Sequence, residues 1–304
     1  MKSLKGTLIL LLTAFIWGTA FVAQTSASGT VSAFTFNAAR SVIAAIFLGA
    51  VLLLRAAFRH IKGVRPEHRA FGKSELVGGA IIGALLFAAA NLQQAGIEAY
   101  PAGAAASGRA GFLTATYVVM VAVIAVFTGN KLHPTVIVAA VGCVAGMYML
   151  CLSGGIDRVY FGDLLILLCA VGYAAYIMAV DRFNDTDGIA MSFVQFIVCS
   201  VLSTVCAFIF EQPDFGVIAQ AWLPVAYAGV LSSGVAYTLQ IIGQKYAEPT
   251  VATIVMSLES VFAALAGWVL LNERLSPAEL AGCALVFASV ILAQAPSFFK
   301  KKAA

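Results

Sequence analysis

Residues 11–22, LLTAFIWGTAFV, and residues 167–178, LLCAVGYAAYIM, align without a gap at an offset of 156, setting Trp17 against Tyr173. The ends of the two halves echo each other as well. Asn130 to Pro134 (NKLHP) corresponds to Glu273 to Pro277 (ERLSP), each after a long run rich in small residues and before a Gly-bearing terminal run. Between these landmarks each half holds five apolar runs. An odd number of crossings forces consecutive copies into opposite orientations across a bilayer, the layout of inverted-repeat carriers. The sequence therefore predicts an all-α polytopic membrane protein, with ten transmembrane helices forming two inverted five-helix repeats over residues 1–155 and 156–304.

Composition agrees with that reading. The chain is 62% hydrophobic and 11% charged with mean hydropathy +0.97, against about 25% charged residues in soluble domains, which excludes a water-soluble enzyme. The first-half runs are Gly6 to Ala23, Val31 to Leu54, Leu76 to Ile97, Ala102 to Phe127 and Pro134 to Leu152. Those of the second half are Leu164 to Val180, Ile189 to Phe210, Val217 to Gly243, Thr250 to Leu271 and Ala278 to Ala295. Each is long enough for a hydrocarbon layer of about 30 Å. With the N-terminus inside, Lys2, Lys5, Arg55, Arg59, Lys62, Arg65, Arg69, Lys73, Lys131, Arg182, Lys245 and Lys300 to Lys302 are cytoplasmic. The opposite loops hold only Arg158 and Arg274. This bias orients a plasma-membrane protein with both termini in the cytoplasm.

Several chemistries are argued against. The net charge of +4 resides in short connections and not on a folded face, so no nucleic-acid partner is expected. The six cysteines form no CxxC pair, and His60, His68 and His133 have no second ligand at metal spacing, so neither a metal nor another cofactor is expected. No P-loop occurs, which argues against bound ATP as the energy source. Met1 to Gly29 imitates a signal peptide, but Trp17 and Gly18 interrupt its apolar run and the repeat needs this span.

The segment Gly229 to Gln294, with its GVLSSGVAYTLQ opening and the stretch SLESVFAALAGWVLLNERLSP, resembles the second repeat of the EamA family in the drug/metabolite transporter superfamily. Ala14 to Phe21 (AFIWGTAF) is similar to that family's first-helix Trp-Gly motif, and Ala110 to Val121 (AGFLTATYVVMV) to its fourth helix. The resemblance implies transport, and a central cavity walled mainly by helices 1, 3, 4, 6, 8 and 9. Two positions depart from it: Ser260 follows Glu259, and Ala122 lies in the fourth helix, where many relatives carry Pro. At neither point does the chain carry the proline that would kink the helix.

Charges inside apolar runs are costly unless paired or hydrated, so they are the first candidates for function. At about 1.5 Å per residue, Arg40 falls about 14 Å and Arg109 about 10 Å from the outer ends of their runs, and Glu259 about 14 Å from the inner end of its own. If one arginine pairs with Glu259, one positive charge remains, and a substrate carboxylate or phosphate would neutralise it. We expect Arg109 to be that contact and Arg40 to be structural. Glu259 is expected to be either an ion partner or a proton site. The alternatives are that Arg109 satisfies backbone carbonyls and that Glu259 is a permanent structural partner.

Polar side chains at helical spacing suggest the wetted faces: Thr13, Trp17 and Gln24; Phe87, Asn91 and Gln94; Ser233, Tyr237, Gln240 and Gln244. Trp17 and Tyr173 are candidate flat walls against substrate, while Trp222 and Trp268 read as interfacial anchors. Phe112, Thr116 and Tyr117 lie near Arg109 on the fourth run. The expected substrate-binding set is Trp17, Asn91, Gln94, Arg109, Phe112, Tyr173, Tyr237, Gln240 and Glu259, with helix packing as the alternative role for its aromatic and amide members. The GxxxG patterns Gly79 to Gly83 and Gly142 to Gly146 suit close helix packing, leaving the state, monomer or homodimer, open.

The function expected is secondary transport of a small metabolite, an amino acid or related anionic or zwitterionic solute, with export the favoured direction and membrane lipids as surroundings. The rival readings are a membrane-embedded lipid-modifying enzyme, for which no catalytic cluster stands out, and a receptor or interaction bundle without flux.

Overall fold

The computed structural model describes residues 2–63, 71–101, 106–129, 132–152, 160–183, 185–271 and 276–300. Arg65, Pro66, Glu67, His68, Arg69, Asn130, Lys131, Gly154, Gly155, Arg158, Glu273, Arg274, Lys301 and Lys302 lie outside these residues, as does the expected boundary at 155/156.

All regular structure among the described residues is helical. In the first half, α1 is Lys2–Ser28, α2 Ala33–Ile61, α3 Lys73–Glu98, α4 Ala106–Ala115, α5 Tyr117–Phe127 and α6 Pro134–Leu152. The second half contains α7 Phe161–Arg182, α8 Gly188–Phe210, α9 Phe215–Gln220, α10 Trp222–Tyr227, a π-helix Ala228–Tyr237, α11 Thr238–Gln244, α12 Pro249–Met256, α13 Leu258–Leu271 and α14 Pro277–Lys300. Among the described residues, eight helical segments are long and apolar enough to cross a membrane; the shorter apolar helices Pro134–Met149 and Leu280–Ala293 fall where the fifth and tenth spans were expected.

The exterior is apolar, and the interior combines apolar packing with many buried polar groups, unlike a soluble bundle. Ile46, Leu53, Val141, Phe127 and Phe210 are exposed, while Thr13, Gln24, Arg40, Asn91, Gln195, Gln240 and Glu259 are buried. Only a hydrocarbon solvent favours that partition. The chain is a multi-pass membrane protein.

The halves pack against each other throughout, and the pairing is reciprocal. Helix α1 meets α13 as α7 meets α4 and α5, α2 meets the π-helix as α8 meets α3, and α6 lies along α14. Glycines allow the closest approaches. A Cβ on Gly79 or Gly83 would strike Val194 or the Gln195 carbonyl of α8, and one on Gly146 would strike Gly282 and Val286 of α14. Both GxxxG patterns are thus occupied inside the bundle.

One end of the bundle is basic. There Arg55 pairs with Asp187 at 2.6 Å, Lys245 donates to the Thr186 carbonyl, and Lys5 lies 5.2 Å over the Tyr246 ring. At the opposite end, Glu98 and Glu211 cap α2. Ala33 N donates to Glu98 at 3.2 Å, and Phe34 N and Thr35 N donate to the two Glu211 oxygens at 2.8 and 2.7 Å, meeting the unpaired amides and positive dipole of a helix start.

Candidate functional site

Two helix interruptions prepare the site. Between α4 and α5, Thr116 bonds back to the Leu113 carbonyl at 2.6 Å, and between α12 and α13, Ser257 bonds back to Ile254 at 2.7 Å. Hydroxyls that recapture their own turn's carbonyl tighten and bend a helix. These breaks arise without proline, one residue before Tyr117 and two residues before Glu259. Tyr117 opens α5 and Glu259 sits in the first turn of α13, where the helix dipole favours a carboxylate. The Tyr117 hydroxyl donates to Glu259 Oε1 at 3.0 Å.

Around this pair lies a cavity lined by Trp17, Gln24, Arg40, Gln93, Thr114, Tyr173, Ser232, Tyr237 and Gln240. Its wall is a connected network. Trp17 packs on Tyr237 with ring centroids 4.8 Å apart and donates through Nε1 to the Ser232 carbonyl at 3.4 Å. The hydroxyls of Tyr173 and Tyr237 are 3.0 Å apart, Tyr173 donates to Gln93 at 3.4 Å, and Gln93 donates to Thr114 at 3.1 Å. Arg40 Nη1 donates to Gln24 Oε1 at 3.3 Å and lies 5.7 Å over the Phe36 ring. Gln240 donates to Gln244 at 3.0 Å, and its own Oε1 is buried with no hydrogen-bond partner among the described residues.

Arg40 and Glu259 are 4% and 3% exposed, yet no ion pair within 4.0 Å joins them, and no carboxylate pairs with Arg40 among the described residues. A buried guanidinium and a buried carboxyl thus face one cavity without neutralising each other. The free volume is about 30 Å³, room for a water or two and far below the ~300 Å³ of small-molecule sites. The cavity as it stands is too small for a metabolite.

Of the expected site residues, Trp17, Tyr173, Tyr237, Gln240 and Glu259 line this cavity. Arg109 does not. It lies instead where α4 meets the start of α7. There its Nε and Nη2 grip Asp163 at 2.6 and 2.8 Å, Tyr100 donates to Asp163 at 2.7 Å, and Tyr160 N donates to the same carboxylate at 2.8 Å. Burial and the neighbouring Asp163 carboxylate raise the Tyr100 hydroxyl well above the usual tyrosine range, so it stays a donor. The charge count that left Arg109 over for an anion fails because Asp163 supplies its counter-ion.

Asn91 is also placed elsewhere. It bonds Asn37, the Phe87 carbonyl and Ser203, joining α2, α3 and α8. Gln94 donates to the Gln24 carbonyl at 3.4 Å, behind the cavity wall. Phe112 faces an apolar groove with Val119, Val123, Ala140 and Val144. Sequence reading missed Gln93 and Thr114 and gave Arg40 only a structural part.

The two mouths differ. Toward the basic end a polar vestibule of about 470 Å³, lined in part by Asp181, Gln244, Lys245 and Glu248, approaches the cavity. Gln244 separates them: it accepts from Gln240 and donates to the Ile177 carbonyl at 3.2 Å. At the opposite end the Arg109, Asp163, Tyr100 and Tyr160 cluster ties α4 to α7.

An apolar exterior around a core that carries buried polar groups and a small polar-lined cavity marks a multi-pass membrane protein with an internal site. The chain belongs to the EamA-like transporter family, which it matches over residues 4–152 and again over 160–294. An uncharacterized transporter of Archaeoglobus fulgidus is 28% identical over 294 residues, spanning 96% of this chain and 86% of that relative. A solved crystal structure superposes with a TM-score of 0.75 at 22% identity, covering 95% of this chain and 96% of the other. That likeness bears on fold alone.

Proposed function

We propose that this protein is a secondary carrier of a small zwitterionic metabolite with an amino-acid-like head, working by alternating access between two inverted five-helix repeats, residues 1–155 and 156–304, of ten spans in all. The observation that carries this reading is the unpaired Arg40 and Glu259 in one cavity. A substrate carboxylate on Arg40 and an ammonium group shared by Glu259 and the orphaned Gln240 Oε1 would satisfy three buried groups at once. Trp17, Tyr173 and Tyr237 would hold the remainder of the molecule. When cargo leaves, a proton on Glu259 would spare the site a buried charge, which is the basis for proton coupling.

The positive-inside pattern supports placing the basic end and both termini in the cytoplasm of a prokaryotic plasma membrane. The vestibule then faces the cytoplasm, which favours loading from inside and hence export. The test is counterflow of labelled amino acids and related acids and amines in proteoliposomes. Exchange of a zwitterion is expected, abolished by Arg40→Gln, and changed by Glu259→Gln into exchange that no longer responds to an imposed pH gradient. Exchange only of uncharged solutes, or unaltered exchange in Arg40→Gln, overturns the reading.

A further inference from the structure

A separate cavity of about 390 Å³ lies near the basic end between α2, Phe71 and Phe193 of α8. Gly49, Leu52, Ala56 and Arg59 form one stripe of α2 along it, at helical spacing. The stripe changes character along its length, from apolar at Gly49, Leu52 and Ala56 to guanidinium at Arg59, with Arg55 lining the cavity beside it. From Gly49 to Arg59 the rise is about 15 Å, half of the ~30 Å hydrocarbon layer and so the depth of one leaflet.

The wall is built for a slender apolar occupant. Phe193 lies so close to Gly49 that a Cβ there would meet its Cε2 at 3.2 Å, and Phe71 braces Phe193 edge-on at 5.9 Å. The two arginines differ. Arg55 is neutralised by Asp187 at 2.6 Å, whereas Arg59, half-buried, has no carboxylate partner among the described residues. A cation with no carboxylate partner among the described residues, at headgroup depth and continuous with an apolar slot one leaflet deep, complements the charge and matches the length of a single anionic phospholipid.

We propose that this is a binding site for one anionic phospholipid of the leaflet at the basic end, with its phosphate on Arg59 and one acyl chain along Gly49 to Ala56 against Phe193. The site is remote from the cargo cavity and independent of it. Because its walls come from both halves of the chain, the lipid would bridge α2 and α8.

Native mass spectrometry of the full-length protein with phosphatidylglycerol or phosphatidylcholine of matched chains tests the proposal. One phosphatidylglycerol should be retained in preference. Arg59→Gln should reduce that preference about fivefold, and Arg59→Lys should keep part of it. Ala56→Trp, at an exposed position, should displace the lipid by filling the slot. Equal retention of the two lipids, an unchanged preference in Arg59→Gln, or a preference that inorganic phosphate removes while Ala56→Trp leaves it intact would each overturn the assignment.

Discussion

Asp163 determines what Arg109 can do. Its two oxygens take both the Nε and Nη2 donors of the guanidinium while also accepting from Tyr100 and the Tyr160 amide, so the carboxylate is fully engaged and the arginine has a fixed counter-ion. Their side chains are 12% and 7% exposed. Removing one partner of such a pair strands the other, at a cost of about 3 kcal/mol. Asp163→Asn should therefore lower the melting temperature markedly in detergent, with Arg109→Gln less harmful because the carboxylate it leaves behind keeps the Tyr100 hydroxyl and the Tyr160 amide as donors. The double variant should recover part of the loss of Asp163→Asn. If Arg109→Gln instead abolished recognition of acidic cargo with stability intact, Arg109 would be a substrate contact after all. Arg40 is the contrasting case, since its one side-chain acceptor is the neutral amide of Gln24. Arg40→Gln should abolish exchange with little loss of stability, because it removes an uncompensated buried charge.

At the scale of elements, the eighth span shows why periodicity misdirected part of the reading. A 3.6-residue repeat groups Ser233, Tyr237 and Gln240, but residues 228–237 form a π-helix, and the cavity receives Ser232 with Tyr237 and Gln240. The wider turn leaves carbonyls free of the α pattern, and Trp17 takes that of Ser232. Deleting Ser233, whose buried hydroxyl has no partner, should restore α geometry. Thermal stability is expected to hold or rise while exchange is lost; preserved exchange would show that the π-helix is incidental. The same phase problem separates Gln93 from Gln94: neighbours differ by about 100° around a helix, and only the packing of α3 on α7 and α8 decides which amide faces the cavity. The apolar runs were legible because lipid demands them over long stretches. So were Trp17 and Tyr173, because polar aromatics stand out at mid-run. Asp163 was not, since it lies one residue before the apolar run that starts at Leu164, and its partnership depends on where two helix ends meet.

Across the whole molecule, the reciprocal pairing of the halves means that few contacts are internal to either one, so relative movement has to break and remake the seams between them. The seam between α4 and α7 at the end opposite the basic one is held by the Arg109 and Asp163 pair, whereas the Gln240 and Gln244 turn screens the cavity from the vestibule. Alternating access requires these two barriers to open at different times. Arg109→Cys with Asp163→Cys, in a background lacking the six native cysteines, replaces the polar tie by one that a short bis-methanethiosulfonate can make covalent across the span the two side chains bridged. Cross-linking should stop exchange entirely and cleavage by reductant should restore it, with each preparation serving as its own control for the loss of the ion pair. Thermal stabilisation by the transported solute should persist in the cross-linked form, because the route from the vestibule past Gln244 remains available. If exchange continued at an undiminished rate with the cross-link complete, this seam would not be a gate and cargo would pass by a path that leaves α4 and α7 together.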